Sequence, residues 1–342
     1  MTSLKNNLVS LIIVLVLILV VFIISFGEDK ENVNNPLITI ETDTREITEI
    51  KNKLKENPDD VLLLGSLSES YFRNGEFDLS EEVAKIALEI NPGELSIILS
   101  LANTLRYRGK YEESEKLFER ALVISPENAW IYTDLGKLYR NWNKFNEAEK
   151  MFQEAIKINP EDDNIYSYGL GYLYRDMGDY EKALSMFEKA VSINPDNHFN
   201  YSGLGDIYRH LNRFEESEEM FKKAIKMNPR SESYMGLGYL YLKWGKEDMA
   251  EESFNNYLEI IKPKSEVYLG LASIYAGRKD YADAEEAYKK AIELNPRLGG
   301  YLSLGKLYLL NDRQTEAEEM FKKELEFNPD NQQAKNLLEG VE

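Results

Sequence analysis

The sequence predicts an all-α fold, an α-solenoid of tandem helix-turn-helix repeats. Nine of its ten prolines return at a nearly constant spacing of 34, 34, 34, 35, 34, 34, 33 and 33 residues. Within each period, apolar residues recur at helical spacing in two successive stretches that a turn separates. A fixed period of this length indicates stacked repeats, because no single helix pair can bury its apolar face alone. The prolines that carry the period are Pro58, Pro92, Pro126, Pro160, Pro195, Pro229, Pro263, Pro296 and Pro329.

The composition excludes several kinds of function. The chain of 342 residues has 60 acidic and 41 basic residues, and its net charge is −19. This argues against nucleic acid as the main partner, because binding a phosphate backbone requires a positive field. The chain contains no cysteine, which excludes disulfides, thiol catalysis and cysteine-ligated metal centres.

The N-terminus holds the most apolar stretch of the chain. After a short tail, residues 1–7, the nineteen uncharged residues 8–26 are long enough to cross a bilayer as a transmembrane helix. We therefore predict a single-pass membrane anchor. The alternative is a cleaved signal peptide, since Ser25 and Gly27 are small residues in the positions of a cleavage site. The apolar run is longer than a usual signal core, which favours the anchor.

The flanking charges orient this anchor only weakly. Lys5 lies on one side and Lys30 on the other, and the orienting rule counts such residues near the ends of the helix. A long C-terminal domain translocates largely regardless of charge. We expect the N-terminus in the cytoplasm and the repeats outside it, with a cytoplasm-facing array as the alternative.

Two segments join the anchor to the repeats. Residues 27–45 are polar and acidic without a helical period, which predicts a linker. In residues 46–58, Ile47, Ile50 and Leu54 share one stripe, which predicts a helix. This helix takes the second-helix position of a repeat that lacks a first helix, so we expect it to cap the stack at its N-terminal end.

Eight repeats occupy residues 59–329. In most first helices Leu-Gly precedes a tyrosine by three residues, as at Gly171 and Tyr174, and the turn after the helix often holds Gly or Asn, which tolerate a positive φ. The second helix carries Ala, Phe and Ala, as around Phe187, and closes on Asn-Pro because proline cannot continue a helix. The glycine is expected to let the two helices approach closely. The predicted repeats are 59–92, 93–126, 127–160, 161–195, 196–229, 230–263, 264–296 and 297–329.

The last residues, 330–342, predict a closing helix. Ala334, Leu337 and Leu338 share one face, with Asn and Gln around them. A helix with one apolar and one polar face is what the end of a stacked array requires, because its outer side meets water.

The order Leu-Gly, Tyr, Gly, Ala, Phe, Ala and Pro at this period resembles the tetratricopeptide repeat. The resemblance covers about four fifths of the chain in eight in-phase copies. It implies a right-handed α-solenoid, with first helices lining a concave groove and second helices outside, and a scaffold that binds other proteins. The sixth repeat departs from the pattern, with Tyr257 in an alanine position.

The sequence offers no constellation for catalysis. Gly300 to Lys306 comes near a phosphate-binding loop, but Leu307 replaces the hydroxyl residue that ligates magnesium, and the stretch lies in a predicted helix. His198 and His210 are too far apart to form a metal-binding pair on one helical face. We therefore predict a protein that is not an enzyme and has no cofactor or metal.

One position of the first helix is arginine in the second to fifth repeats, and this suggests where a partner binds. Aromatic residues and one lysine lie near that position by the same phasing. Because arginine forks onto carboxylates, we expect a protein or peptide partner with an acidic segment or a free carboxylate. The alternative is that these arginines only pair with Asp134, Asp176 or Asp206. The predicted partner-binding residues are Arg106, Trp130, Lys137, Arg140, Tyr168, Tyr172, Arg175, Phe199 and Arg209.

Together these patterns predict a membrane-anchored scaffold that binds a partner segment in the groove of its repeats. Two alternatives stay open. One is a docking receptor that faces the cytoplasm, and the other is a non-catalytic subunit of a membrane enzyme or surface-assembly complex.

Overall fold

The computed structural model describes residues 40–340, with the side chains of residues 40–44 left aside. Regular secondary structure in this part consists of eighteen α-helices and one π-helical segment. The predicted tail and anchor, and the predicted linker up to residue 39, lie outside the described residues. Within residues 40–340 no helix is both long and apolar enough to cross a membrane.

The described part of the chain divides into two compact units, the first ending at Ile165 and the second beginning at Tyr166. In the described part of the first unit, seven α-helices succeed one another, with the odd-numbered ones in the second-helix positions of their repeats. They are α1 Ile40–Glu56, α2 Val61–Arg73, α3 Phe77–Ile90, α4 Leu95–Tyr107, α5 Tyr111–Ile124, α6 Ala129–Asn141 and α7 Phe145–Ile158.

A π-helical segment, Ile165–Gly171, precedes the helices of the second unit. The remaining repeats alternate first and second helices as in the first unit. These helices are α8 Tyr172–Asp176, α9 Tyr180–Ile193, α10 His198–His210, α11 Phe214–Met227, α12 Ser233–Trp244, α13 Glu247–Ile260, α14 Ser265–Arg278, α15 Tyr281–Leu294, α16 Gly300–Leu310, α17 Gln314–Phe327 and α18 Gln332–Glu339.

Helix α1 packs on α2 at the start of the described stack. Ile47, Ile50 and Leu54, the three residues of the predicted stripe, are buried in its interface with the first repeat. The helix begins at Ile40, so residues 40–45 of the predicted linker are helical. Polar residues can extend a helix in this way once one of its faces is packed.

The motif glycines of the first helices make room for phenylalanine rings of the second helices. A Cβ atom at Gly136 would stand 2.6 Å from the Phe152 ring, and one at Gly205 would stand 2.8 Å from the Phe221 ring. Both distances are well inside van der Waals contact, so a larger residue would displace the ring. The space that the glycine leaves is therefore filled by a side chain of the facing helix.

The extra residue of the fourth repeat is absorbed in the π-helical segment. Pro160 and Pro195 are 35 residues apart, one more than the usual spacing. A π-turn holds one residue more than an α-turn, so it can take up an insertion without moving the rest of the helix out of register. Gly171 accordingly still faces the Phe187 ring, and Tyr174 is buried.

The turns between paired helices adopt the positive φ that their residues predict. Asn143 and Asn212 both have φ of 60°, and the four predicted glycines lie between 73° and 79°. In the seventh and eighth repeats the same turn is made by Lys279 and Asp312, with φ of 68° and 58°. The turn geometry is therefore retained where no glycine or asparagine is present to favour it.

Successive first helices contact one another within each unit. Helix α4 touches both α2 and α6 in the first unit, and α12 touches both α10 and α14 in the second. The first helices of each unit thus share one face, called here the first-helix face, and the predicted partner-binding residues belong to these helices or to the π-helical segment.

Candidate functional site

On the first-helix face of the first unit, Arg106 is almost enclosed. The residue is 8% exposed. Its Nε and Nη2 donate hydrogen bonds to Asn103 Oδ1 at 3.2 and 3.0 Å, and its guanidinium lies 4.5 Å from the centroid of the Tyr107 ring. A buried cation requires such compensation. Arg106 is therefore held inside the fold by Asn103 and Tyr107.

Asp134 extends this network to Lys137. Asn103 Nδ2 donates to Asp134 Oδ2 at 3.0 Å, and Lys137 Nζ donates to Asp134 Oδ1 at 3.0 Å. The Lys137 and Asp134 side chains are only 25% and 21% exposed. The ion pair between them compensates the charge of Lys137. This is the outcome expected if these cations pair with nearby carboxylates of the chain more than they bind a ligand.

Trp130 is the most accessible of the predicted residues in this unit. Its side chain is 60% exposed at the second residue of α6. Asn128 accepts a hydrogen bond from the Trp130 backbone N–H at 3.0 Å and so fixes the start of the helix. Arg140, near the other end of α6, is partly buried and engaged with other residues.

A groove between α2 and α4 also lies on this face, and sequence reasoning missed it. Two cavities of about 340 and 380 Å³ share Glu69, Ser96 and Ser100 as lining residues, and we call them together the α2–α4 groove. Its rims carry Leu62 and Tyr107, which are 71% and 55% exposed. The sequence does place Leu62 and Glu69 two turns apart on one face of α2, and this spacing is the signal by which the groove could have been predicted.

In the second unit two predicted arginines share one carboxylate. Arg175 donates to Asp176 Oδ1 from Nη2 at 2.8 Å and from Nε at 3.1 Å, and its Nη1 lies 3.6 Å from Asp206 Oδ2. Arg209 forms an ion pair with the other oxygen of Asp206. Lys243 Nζ donates to the backbone oxygen of Arg209 at 2.8 Å. Two arginines thus contact these two carboxylates, and the ammonium of Lys243 lies against the backbone of one of the arginines.

The pKa of Arg175 reflects this arrangement. Burial alone would lower it, but the hydrogen bond to Asp176 and the charges of Asp176 and Asp206 raise the pKa above its ordinary value. Arg175 therefore stays charged while its side chain is 32% exposed.

The predicted aromatic residues of the second unit lie beside these cations. The Tyr168 ring centroid is 5.5 Å from that of Tyr172 and 6.0 Å from that of Phe199. The guanidinium of Arg175 lies 4.5 Å from the Tyr172 ring centroid. Phe199 is 48% exposed. The fold therefore brings Tyr168, Tyr172, Arg175, Phe199 and Arg209 into one patch, called here the cationic patch, to which Lys243 also belongs.

The repeat pattern does not predict Lys243, because the arginine position of the earlier repeats continues at its neighbour. Leu242 continues the arginine position, whereas Lys243 lies 34 residues after Arg209 and directs its ammonium back to it. The spacing of one repeat between Arg209 and Lys243 is the sequence signal that could have predicted this contact.

The histidines near this patch add no fixed charge to it. The His210 ring stacks on Tyr180 at a centroid distance of 4.7 Å. Burial lowers the pKa of His210, and although Asp206 opposes the effect, nearby cations reinforce it. Burial also lowers the pKa of His198. In residues 40–340 no three His, Asp or Glu side chains are grouped so that they could hold a metal ion.

Comparison with protein families decides which family the chain belongs to. Models described as the tetratricopeptide repeat match well over half of the chain. The matched residues are 93–161, 163–230, 203–266, 265–298 and 298–331.

The chain is a tetratricopeptide-repeat protein. The predicted resemblance to the tetratricopeptide repeat is thereby confirmed, as is the predicted all-α solenoid fold, while the bounds of the eight repeats stay a prediction. Tetratricopeptide-repeat proteins generally act as non-catalytic scaffolds for protein interactions.

Solved tetratricopeptide-repeat and related helical structures share this fold. Yeast Tom70 is 18% identical with a TM-score of 0.66, over 93% of this chain and 76% of that one. A tetratricopeptide repeat protein from Parabacteroides merdae is 22% identical with a TM-score of 0.58, over 73% of this chain and 98% of that one. A chain of the APC/C hetero-tetramer Cut9–Hcn1 is 18% identical with a TM-score of 0.60, over 87% of this chain.

The chain spans 59% of the length of that last relative. At these identities the likeness shows the fold alone. No curated protein matches the sequence.

Proposed function

We propose that this tetratricopeptide-repeat protein is a membrane-anchored scaffold that holds a segment of a partner protein against its first-helix faces. The observation that carries the proposal is the sharing of Asp206 by Arg175 and Arg209. With Lys243 beside them, these residues leave more positive than negative charge at the cationic patch, on a chain whose net charge is −19. A local charge opposite to that of the whole molecule favours a specific ligand.

The partner segment is acidic or ends in a free carboxylate. Arginine presents two parallel donors to a carboxylate, and such pairs are among the strongest hydrogen bonds that proteins make. At the patch, Arg175 and Arg209 each contact only one oxygen of Asp206. An incoming carboxylate can therefore accept hydrogen bonds from both arginines in addition to Asp206. The exposed Phe199 ring and the neighbouring Tyr168 offer apolar surface for an adjacent side chain.

The residues of the first unit contribute unequally to partner binding. Trp130 is its most accessible predicted residue, and aromatic anchors of this kind often dominate binding energy. Arg140 occupies the same first-helix position as Arg106 and supplies the second arginine at that position in this unit. Arg106 and Lys137 act mainly by holding Asn103 and Asp134, since their donors are engaged with those residues.

The anchor is residues 8–26, whose uncharged apolar run supports a membrane-spanning helix. Tethering raises the effective concentration of the repeats near other membrane proteins, so modest affinity can suffice. We place the repeats outside the cytoplasm. Protease added to intact cells would then degrade the repeats, and full protection of the repeats would place them in the cytoplasm.

Charge reversal tests the scaffold itself. The full chain, extracted from membranes, is used to capture proteins in parallel with the double variant Arg140→Glu and Arg175→Glu. We expect proteins retained by the wild type to be lost by the variant, while circular dichroism shows unchanged helicity. The control reverses two exposed second-helix charges, Lys157→Glu and Lys182→Glu, whose side chains are 68% and 62% exposed. Equal retention by both variants and the wild type would refute the proposal.

A further inference from the structure

His210 packs beside the cationic patch at a position that an aromatic ring can fill. Its ring stacks on Tyr180 of α9 at a centroid distance of 4.7 Å. In the first unit Tyr107, which also directly follows the arginine position, stacks in the same way on Phe77 at 5.6 Å. A tyrosine therefore satisfies the packing at this position, and the histidine adds a group that titrates near neutral pH.

The contacts of His210 Nε2 define the protonation state of the ring. This nitrogen lies 3.4 Å from Arg209 Nη2. A guanidinium can only donate hydrogen bonds, so Nε2 accepts and the ring is the neutral form with its proton on Nδ1. A proton on Nε2 would turn this contact into a repulsion between two cations.

Asp206 is too heavily shared to offset such a charge. Its Oδ1 lies 3.9 Å from His210 Nε2, but the same oxygen already pairs with Arg209. Its Oδ2 lies 3.6 Å from Arg175 Nη1. One negative charge thus serves two arginines, and little of it is left to stabilise a protonated His210.

The surroundings of the His210 ring are therefore mainly cationic. Burial lowers the pKa of His210, three nearby cations lower it further, and Asp206 opposes them. A second carboxylate placed against the arginines would reverse this balance, because it would supply the negative charge that Asp206 alone does not. The charged or titratable groups that face the ring are Asp206 and Arg209 on α10, Arg175 on α8, Tyr180 on α9 and Lys243 on α12.

We propose that an acidic partner segment binds at the cationic patch together with one proton, which His210 takes up from water. The carboxylate of the partner accepts hydrogen bonds from Arg175 and Arg209, and Asp206 then accepts one from the protonated Nε2 of His210. The inference rests on the proposed function, because it takes the patch to bind an acidic segment. It adds that the array holds this segment more tightly under mildly acidic conditions than at neutral pH.

Binding and protonation strengthen each other. The carboxylate of the partner raises the pKa of His210 in the complex above its value in the free chain. The added affinity is therefore fully present below the pKa of the free chain, and it is lost as pH rises through the pKa of the complex.

Peptide affinity at two pH values tests this coupling. The probe is a short rhodamine-labelled peptide of aspartates around one phenylalanine, and its binding to the full chain in nonionic micelles is followed by fluorescence anisotropy. Aspartate stays ionised at both values, about pH 5.5 and about pH 7.5. We expect about fivefold tighter binding at the lower pH. His210→Tyr keeps the ring that Tyr107 provides at the equivalent position, and its affinity should differ much less between the two values.

Nuclear magnetic resonance of the imidazole rings measures the proton uptake itself. The chain has two histidines, so comparison with His210→Tyr assigns both Cε1–H signals. The peptide should raise the pKa of His210 and leave that of His198 unchanged. Without the peptide, Arg209→Gln should also raise the pKa of His210, because it removes a cation in contact with the ring. The control Lys222→Gln, which removes a 59% exposed charge of the same unit, should leave this pKa unchanged.

The outcomes separate this inference from the scaffold itself. A peptide that binds the wild type equally at both pH values would overturn the coupling and leave the scaffold standing. So would an equal gain of affinity in His210→Tyr, because the gain would then come from the general loss of negative charge. A pKa of His210 that does not rise with the bound peptide would also overturn the coupling. No binding of the peptide at either pH would count against both proposals.

Discussion

Gly203 of α10 lies so close to the ring of Phe187 on α9 that a Cβ atom on the glycine would overlap it. The opposite side of the same ring faces Gly171, where a Cβ atom would stand 2.8 Å away. Phe187 is 1% exposed, so the ring has no room to move aside. We expect Gly203→Ala to lower the free energy of unfolding by about 1–3 kcal/mol through overpacking, as measured by urea denaturation.

The matched control for this change is Gly277→Ala on α14. Gly277 is exposed, and a Cβ atom there would meet only the end of the Glu247 side chain at 3.8 Å. Alanine is favoured over glycine within a helix, so this variant should be as stable as the wild type or slightly more so. A Gly203→Ala variant as stable as Gly277→Ala would show that the ring is not held between the two glycines.

Two buried tyrosines should respond in opposite directions to loss of their hydroxyls. The Tyr241 hydroxyl donates to Glu218 Oε1 at 2.8 Å, so Tyr241→Phe should cost about 1–2 kcal/mol of unfolding free energy. Tyr257 is fully buried, and its hydroxyl has no partner in residues 40–340. Tyr257→Phe should therefore stabilise the fold by about 1 kcal/mol. Urea denaturation curves of the two variants check both expectations. Equal losses of unfolding free energy in the two variants would contradict the conclusion that only the Tyr241 hydroxyl makes a stabilising hydrogen bond.

Glu81 should make the stability of the first unit sensitive to acid. Burial alone would raise its pKa, but hydrogen bonds from Lys85, Lys110 and Arg108 outweigh burial and lower the pKa to about 2. The unfolded chain has a value of about 4.3, so the stability from Glu81 is present above that pH and is lost as pH falls toward about 2. We expect Glu81→Gln to be less stable than the wild type at neutral pH and to lose less stability over this window.

The control for that titration is Glu89→Gln, which removes an exposed carboxylate from the same helix. Unfolding is monitored by circular dichroism in urea at a series of pH values. If Glu81→Gln and Glu89→Gln give the same pH profile, the cluster around Glu81 does not stabilise the fold.

The sequence was sufficient to predict those parts of the fold that depend on residue type at a fixed period. Gly136 and Phe152 belong to the repeating motif, and Asn143 marks a turn by its tolerance of positive φ. Gly203 lies outside the motif, so its contact with Phe187 could not be foreseen. The π-helical segment was not foreseen either, because the period shows that a residue is added but not where the helix absorbs it.

The site was less predictable than the fold. Periodicity treats Arg106 and Arg175 as equivalent, because both occupy the same position of a first helix. Their neighbours decide the outcome. Asn103 and Tyr107 enclose Arg106, whereas Arg175 reaches Asp176 and Asp206 with a third of its side chain still exposed. A period fixes the face on which a side chain lies, but not which group takes up its charge.

The most direct test of the scaffold is the dissociation constant of one co-purified partner, measured against the full chain at low and at high salt. Binding through Arg175 and Arg209 predicts that affinity falls as ionic strength rises. It also predicts that Arg175→Glu with Arg209→Glu lowers the affinity at low salt by at least about tenfold. An affinity that neither salt nor this double variant changes would contradict the account.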